Sequence, residues 1–286
     1  MIPKEDAMKI AIVTDSSAEI SLQEEKEIGI RVIRMPLTVD GEVFVEARDI
    51  TREDLIQAML DGKSVGTSQP NLQFTQEVFE GLLKDYDHII YLPISQHLSG
   101  TYSSAAVLMH ELEDKLTIID TRFVSWPLKI MALQAKQMVE DGMSPHEIQE
   151  ILERDSFMYA SLIPEDIQYL KRGGRITSAA AAAANLLKII PVLKVTEGRI
   201  DLSEKVRTHK KALNFGIEKV VSLGNFDEYE WCVLNGGYDQ DKIEEIAVNL
   251  ENVTGQPVVR GELHAIVLAH TGPGTIGIVA VKKVGK

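Results

Sequence analysis

The stretch Lys9-Ile10-Ala11-Ile12-Val13-Thr14-Asp15-Ser16-Ser17 is an apolar run that ends in four polar side chains. This is the pattern of a buried strand that delivers polar groups at its C-terminal end. The design recurs twice. His88 to Pro93 opens into the hydroxyl-rich Ser95 to Ser104 and then a helix, and Leu116 to Ile119 ends in Asp120 and Thr121 ahead of a helix around Ile130 to Val139. Strands alternating with helices predict an α/β chain whose first half carries a mostly parallel sheet.

Ser144, Pro145 and Glu147 supply an N-cap, a first-turn proline and a capping-box acid, and Thr51 with Asp54 is a weaker version. After Phe157 the composition shifts. A strand-like Met158 to Ile163 leads to the basic Lys171 to Arg175, a run of alanines from Ala179 to Ala184, and a hairpin through Glu197 to Arg199. Further along come helices around Ala212 to Leu223 and Lys242 to Leu250, and strands at Trp231 to Asn235, Pro257 to Val259 and Ile276 to Val281. Strands adjacent in sequence make this second sheet mixed. The boundary falls near residue 156, giving an N-terminal α/β domain over 1–156 and a C-terminal one over 157–286 with a ligand cleft between them.

With 44% hydrophobic residues the chain can fill a real core. A net charge of -13 argues against nucleic acid, which needs clustered cations; the short basic segments Lys171 to Arg175 and Arg207 to Lys211 suit a small anion or one acidic patch on a partner. The single cysteine, Cys232 in an apolar run, leaves no disulfide framework and no metal-ligand spacing, and reads as a buried core thiol. Charged residues near the N-terminus stand where a signal peptide needs an apolar stretch, and no run reaches the ~18 residues of a spanning helix. A cytoplasmic protein is expected, with no integral membrane segment and at most transient membrane contact.

Four segments could carry chemistry. Gly66 to Pro70 is a loop dense in small hydroxyls, which alone reads as a capped turn. Leu98 to Ser104 enters a helix over Ala105 to Leu112, and its hydroxyls and free N–H groups make an anion site or a plain N-cap. Lys171 to Ile176 pairs two glycines with guanidinium groups suited to a carboxylate or phosphate, or forms a solvated basic turn. His270 to Gly274 places a histidine before a glycine-flanked turn. At an unperturbed pKa near ~6.5 its contact with an anion would vary with pH.

Taken in order with Ile12 to Ser17 and Ile119 to Thr121, these segments resemble the DegV family of fatty-acid-binding proteins, which includes the binding subunit of bacterial fatty acid kinase. The resemblance implies a carrier without catalytic residues, metal or cofactor, whose partners are a long-chain fatty acid and a fatty acid kinase catalytic subunit. Thr67 and Ser99 would bind the carboxylate with His270 close by, Ser68, Thr101 and Asp15 would lie near the ligand, and Arg175, Arg207 and Arg172 would face the docking kinase. The kinase would phosphorylate the bound carboxyl to an acyl phosphate destined for lipid synthesis. The sequence departs from the family pattern at Trp126, Pro127 and Leu128, where serine and glycine are usual, and in the residues before Met8.

The alanine run reads as a plain helix of strong propensity or as a small-residue wall for the acyl tail. Two enzyme readings compete with the carrier. A hydrolase would use Ser99 and His270 with Asp15 or Asp120, but Ser99 lacks the G-x-S-x-G elbow. A phosphotransferase would use the anion loops, but the chain has no G-x-x-x-x-G-K-[ST] segment.

Overall fold

The structure is a computed structural model that describes residues 8–112, 114–183 and 188–285. In chain order the first half forms β1 (Ile10–Asp15), α1 (Leu22–Ile28), β2 (Arg31–Ile33), β3 (Pro36–Val39), β4 (Glu42–Val45), α2 (Arg52–Leu60), β5 (Val65–Thr67) and α3 (Leu72–Leu82). It continues with β6 (His88–Leu92), α4 (Thr101–Ala106), α5 (Leu108–Glu111), β7 (Leu116–Ile118), α6 (Trp126–Glu140) and α7 (Pro145–Asp155). The second half forms β8 (Met158–Ile163), α8 (Gln168–Gly173), α9 (Ser178–Ala183), β9 (Ile190–Thr196), β10 (Arg199–Val206) and α10 (His209–Val221). Last come β11 (Tyr229–Gly236), α11 (Gln240–Thr254), β12 (Val258–Glu262), α12 (Ala265–Thr271) and β13 (Thr275–Lys282).

The first sheet has the order β2-β1-β6-β7 and is parallel throughout. Its central strands β1 and β6 are buried along their whole length, as near-continuous Ile and Val runs require when both faces are covered. The six-stranded sheet, β10-β9-β8-β13-β11-β12, is mixed: β11 and β12 run parallel and every other pair is antiparallel. Its β9–β10 hairpin turns at Glu197 and Gly198, whose φ of 48° and 71° suit a two-residue turn of the kind that matches strand twist. The turn is tied to the first half, because Ser95 Oγ donates to the Gly198 carbonyl at 3.0 Å.

A small antiparallel sheet, β4-β3-β5, was not anticipated. Asp40-Gly41, with φ of 50° and 85°, closes its hairpin, and this dipeptide between short apolar runs was the available signal. Gly66 and Thr67 consequently lie on the edge strand β5, and the loop read there begins only at Ser68. Two further boundaries move. The helix expected from Ala105 starts at Thr101 and breaks into α4 and α5, while α6 starts at Trp126 with Pro127 in its first turn, where a missing N–H costs nothing.

The strands of the two smaller sheets all precede residue 156, and those of the six-stranded sheet follow it. The halves nevertheless share a core. Ile12 and Leu92 from the parallel sheet, Met131 from α6, and Met158, Leu234 and Val279 from the mixed sheet belong to one buried apolar cluster. Cys232 is buried there, and burial pushes its thiol well above the usual range.

Candidate functional site

One cavity opens between the parallel and mixed sheets and is lined by residues of both halves of the chain. Its polar end is built from four segments far apart in sequence. β5 sets Thr67 against the last turn of α12, where Thr67 Oγ1 and His270 Nε2 lie 2.7 Å apart. Ser99, half-buried before α4, also lines this end, and its hydroxyl pairs with Thr101 Oγ1 at 2.8 Å. Gln69 joins the two hydroxyl segments by donating from Nε2 to Ser104 Oγ at 2.7 Å. Gly100 makes this approach possible, since a Cβ there would stand 2.5 Å from Gln69 Oε1.

The Lys171 to Arg175 segment completes the polar end. Gly174 takes φ 68° at the C-cap of α8, turning the chain so that Arg175, which lines the cavity, donates Nε to the Leu98 carbonyl at 3.3 Å. Gly173 packs its backbone on the histidine: a Cβ there would lie 2.7 Å from His270 Nδ1. Gly173→Ala is therefore expected to displace the imidazole and, if the resemblance to fatty-acid-binding proteins holds at this end, to weaken binding of a carboxylate about tenfold, the worth of one hydrogen bond, which titration with a fatty acid checks and unchanged affinity would contradict.

Burial, reinforced by the Arg175 guanidinium, pushes the His270 imidazole down to about 4. His270 is thus neutral at neutral pH, and the pH-variable contact expected from its ordinary value does not operate there. Unfolded chain binds a proton on this residue as pH falls below 6.5, while folded chain does so only near 4, so its contribution to stability is full above 6.5 and is lost on acidification. Thermal melts of lipid-free protein should show wild type losing stability relative to His270→Gln between these two values. A wild-type advantage that grew on acidification would refute the assignment.

Other expected site residues are placed differently. Ser68 lines the cavity. Thr101 is buried and supports Ser99 without lining the cavity itself. Asp15, expected near the ligand, is fully buried away from the cavity; it accepts from the N–H groups of Ser17 and Ile94 at 2.9 and 2.8 Å and so ties the end of β1 to the segment after β6. Arg172 is exposed with its guanidinium 4.7 Å from the Tyr169 ring centre, and Arg207 is exposed beyond β10; neither lines the cavity. Ala179 to Ala183 do not line it either, Ala180 and Ala183 being buried in α9; Ala184 lies outside the described residues.

The apolar end, which the sequence reading did not locate, comes from two regular faces. Met158, Ala160 and Leu162 recur every second residue along β8. Leu263, Ile266 and Val267 continue into His270 and Thr271 at helical spacing, so one face of α12 runs the length of the cavity. Gly277 and Val279 of β13, paired with Leu162 and Ala160, carry the floor across the sheet. The serine-hydrolase arrangement is absent among the described residues, because Ser99 pairs with Thr101 and His270 with Thr67 rather than with each other. Nor does any cluster of three His, Cys, Asp or Glu among the described residues suit a metal ion.

A family model described as uncharacterised protein, DegV family, matches residues 9–283. The chain belongs to the DegV family. A DegV domain-containing protein from Caldanaerobacter subterraneus subsp. tengcongensis is 29% identical over 274 residues, covering 94% of this chain and 98% of the relative. A fatty-acid-binding DegV family protein from Thermus thermophilus superposes with a TM-score of 0.84 at 30% identity, over 96% of this chain and 100% of that one. A fatty acid (stearic acid)-binding protein from Eubacterium ventriosum gives a TM-score of 0.85 at 25% identity, over 96% and 98% of the two chains. The α/β architecture of three sheets is therefore the DegV fold, and its structural neighbours include fatty-acid-binding members. No helix among the described residues is long and apolar enough to cross a membrane.

Proposed function

We propose that this DegV protein is a carrier that buries one long-chain fatty acid, with the carboxylate at Thr67, Ser99 and His270 and the tail over β8 and β13 beside α12. The observation that carries this reading is the division of one cavity into a hydroxyl-and-imidazole end and a long apolar remainder. At ~0.8 kcal/mol per methylene, a sixteen-carbon chain offers roughly 12 kcal/mol gross, enough to outweigh association costs of several kcal/mol. Hydroxyl and neutral imidazole donors hold the carboxylate, while the Arg175 guanidinium at the same end donates to the Leu98 and Gly173 carbonyls. The fatty-acid-binding relatives support the same ligand.

The finer reading is that a fatty acid kinase catalytic subunit docks beside Arg175, at the edge of the polar end. A carboxylate oxygen then attacks the γ-phosphorus of ATP, the bond from that phosphorus to ADP breaks, and an acyl phosphate remains on the carrier. This places the carrier in the cytoplasm, with transient contact at the membrane surface. Organic extraction of the purified protein, followed by mass spectrometry, should yield about one long-chain fatty acid per chain. Adding the kinase subunit and ATP should give an acyl phosphate trapped as a hydroxamate. A lipid-free protein that takes up no fatty acid would overturn the carrier reading.

A further inference from the structure

Thr271 closes α12, one residue beyond His270 and ~1.5 Å further along the helix axis, and it lines the cavity. Its carbonyl accepts from Thr275 Oγ1 at 2.8 Å, which ties this turn to the first residue of β13 in the mixed sheet. Thr271 is 3% exposed, yet its Oγ1 has no hydrogen-bond partner among the described residues.

A helical threonine commonly satisfies its hydroxyl by donating to the carbonyl four residues back. The chain uses this bond elsewhere. Thr254 closes α11 before a glycine at φ 65°, as Thr271 closes α12 before one at φ 85°, and Thr254 Oγ1 donates to the Leu250 carbonyl at 2.7 Å. Thr75 in α3 does the same to Asn71 at 3.0 Å. Thr271 makes no such bond to Val267, and leaving a buried hydroxyl unpaired costs about as much as losing a hydrogen bond.

We propose that Thr271 is a further headgroup-binding residue, its Oγ1 donating to the carboxylate of the bound fatty acid from the mixed-sheet side of His270. The inference rests on the fatty-acid reading above and adds a residue to that site. The hydroxyls of Thr67 and Ser99 already have partners in His270 and Thr101, so each exchanges one bond for another when a carboxylate arrives. Thr271 gives up nothing. A carboxylate accepts at about four lone-pair positions, enough to take this donor beside the other three. The fold thus carries an unpaired hydroxyl whose cost is relieved only by a polar headgroup, and most by a charged one.

The test is equilibrium binding of octadecanoate and octadecanol to lipid-free wild type, Thr271→Val and Thr271→Ser, with thermal melts of the same lipid-free proteins. Thr271→Val keeps the shape of the side chain and should weaken octadecanoate about tenfold or more, as loss of a bond to a charged group requires, with a smaller loss for the alcohol. Thr271→Ser retains the hydroxyl and should stay within a few-fold of wild type. Without lipid, Thr271→Val should melt about 2 °C or more above wild type, because it removes an unpaired polar group from the interior. A hydroxyl bonded within the fold would give the opposite shift. The inference is overturned if Thr271→Val binds octadecanoate as wild type does, if acid and alcohol lose equally, if Thr271→Ser loses as much as Thr271→Val, or if lipid-free Thr271→Val melts lower than wild type. Failure of wild type to bind any fatty acid would instead remove the carrier reading on which it stands.

Discussion

Ala160→Leu is expected to lower the affinity for octadecanoate about a hundredfold while leaving a twelve-carbon chain within a few-fold of wild type. Ala160 is buried in the cavity floor, between Val195 on β9 and Val279 on β13. Leu162 lies on the headgroup side, opposite Gly277 near the start of β13, and Met158 lies on the far side, opposite Val281. A chain entering from His270 therefore passes Leu162, then Ala160, then Met158. A leucine at the middle position occupies the space of several methylenes, and displacing about four of them at ~0.8 kcal/mol each gives roughly 3 kcal/mol. Titration with both chain lengths checks the effect, and an unchanged octadecanoate affinity would show that the tail takes another path.

The second large effect is expected at the other end. Thr67→Val combined with Ser99→Ala keeps the shape of the site nearly intact and removes the two hydroxyls proposed to hold the carboxylate. Hydrogen bonds to a charged group contribute ~1.5–3 kcal/mol each, so the double variant should bind octadecanoate about a hundredfold or more weakly. The corresponding fatty alcohol, which has the same tail and no charge, should lose much less. Equal losses for acid and alcohol would mean that the hydroxyls support the fold rather than the headgroup.

These two ends were not equally legible in the sequence. Thr67, Ser99 and His270 could be named because each sits in a local cluster with its own composition: small hydroxyls, a glycine turn, or a histidine closing an apolar stretch. The parallel sheet was readable from β1 and β6 for a similar reason, since strands covered on both faces are unbroken apolar runs. The tail end has no such signature. Met158, Ala160 and Leu162 look like any strand facing a core, and only the pairing with β13 shows that their face borders empty space.

The same limit explains the residues that moved. Asp15 follows a strand, as ligand-binding carboxylates often do, but its oxygens are taken up by Ser17 and the Ile94 N–H within the fold. The alanine run suggested a narrow wall by composition alone, whereas the wall is supplied by β8 and α12.

The most direct test of the carrier assignment is a crystal structure of the protein with octadecanoate bound. The expected result is one chain per molecule, its carboxylate within hydrogen-bond reach of Thr67 Oγ1, Ser99 Oγ and His270 Nε2, and its tail crossing Ala160 toward Met158. A carboxylate at the Met158 end, or lipid bound outside this cavity, would contradict it.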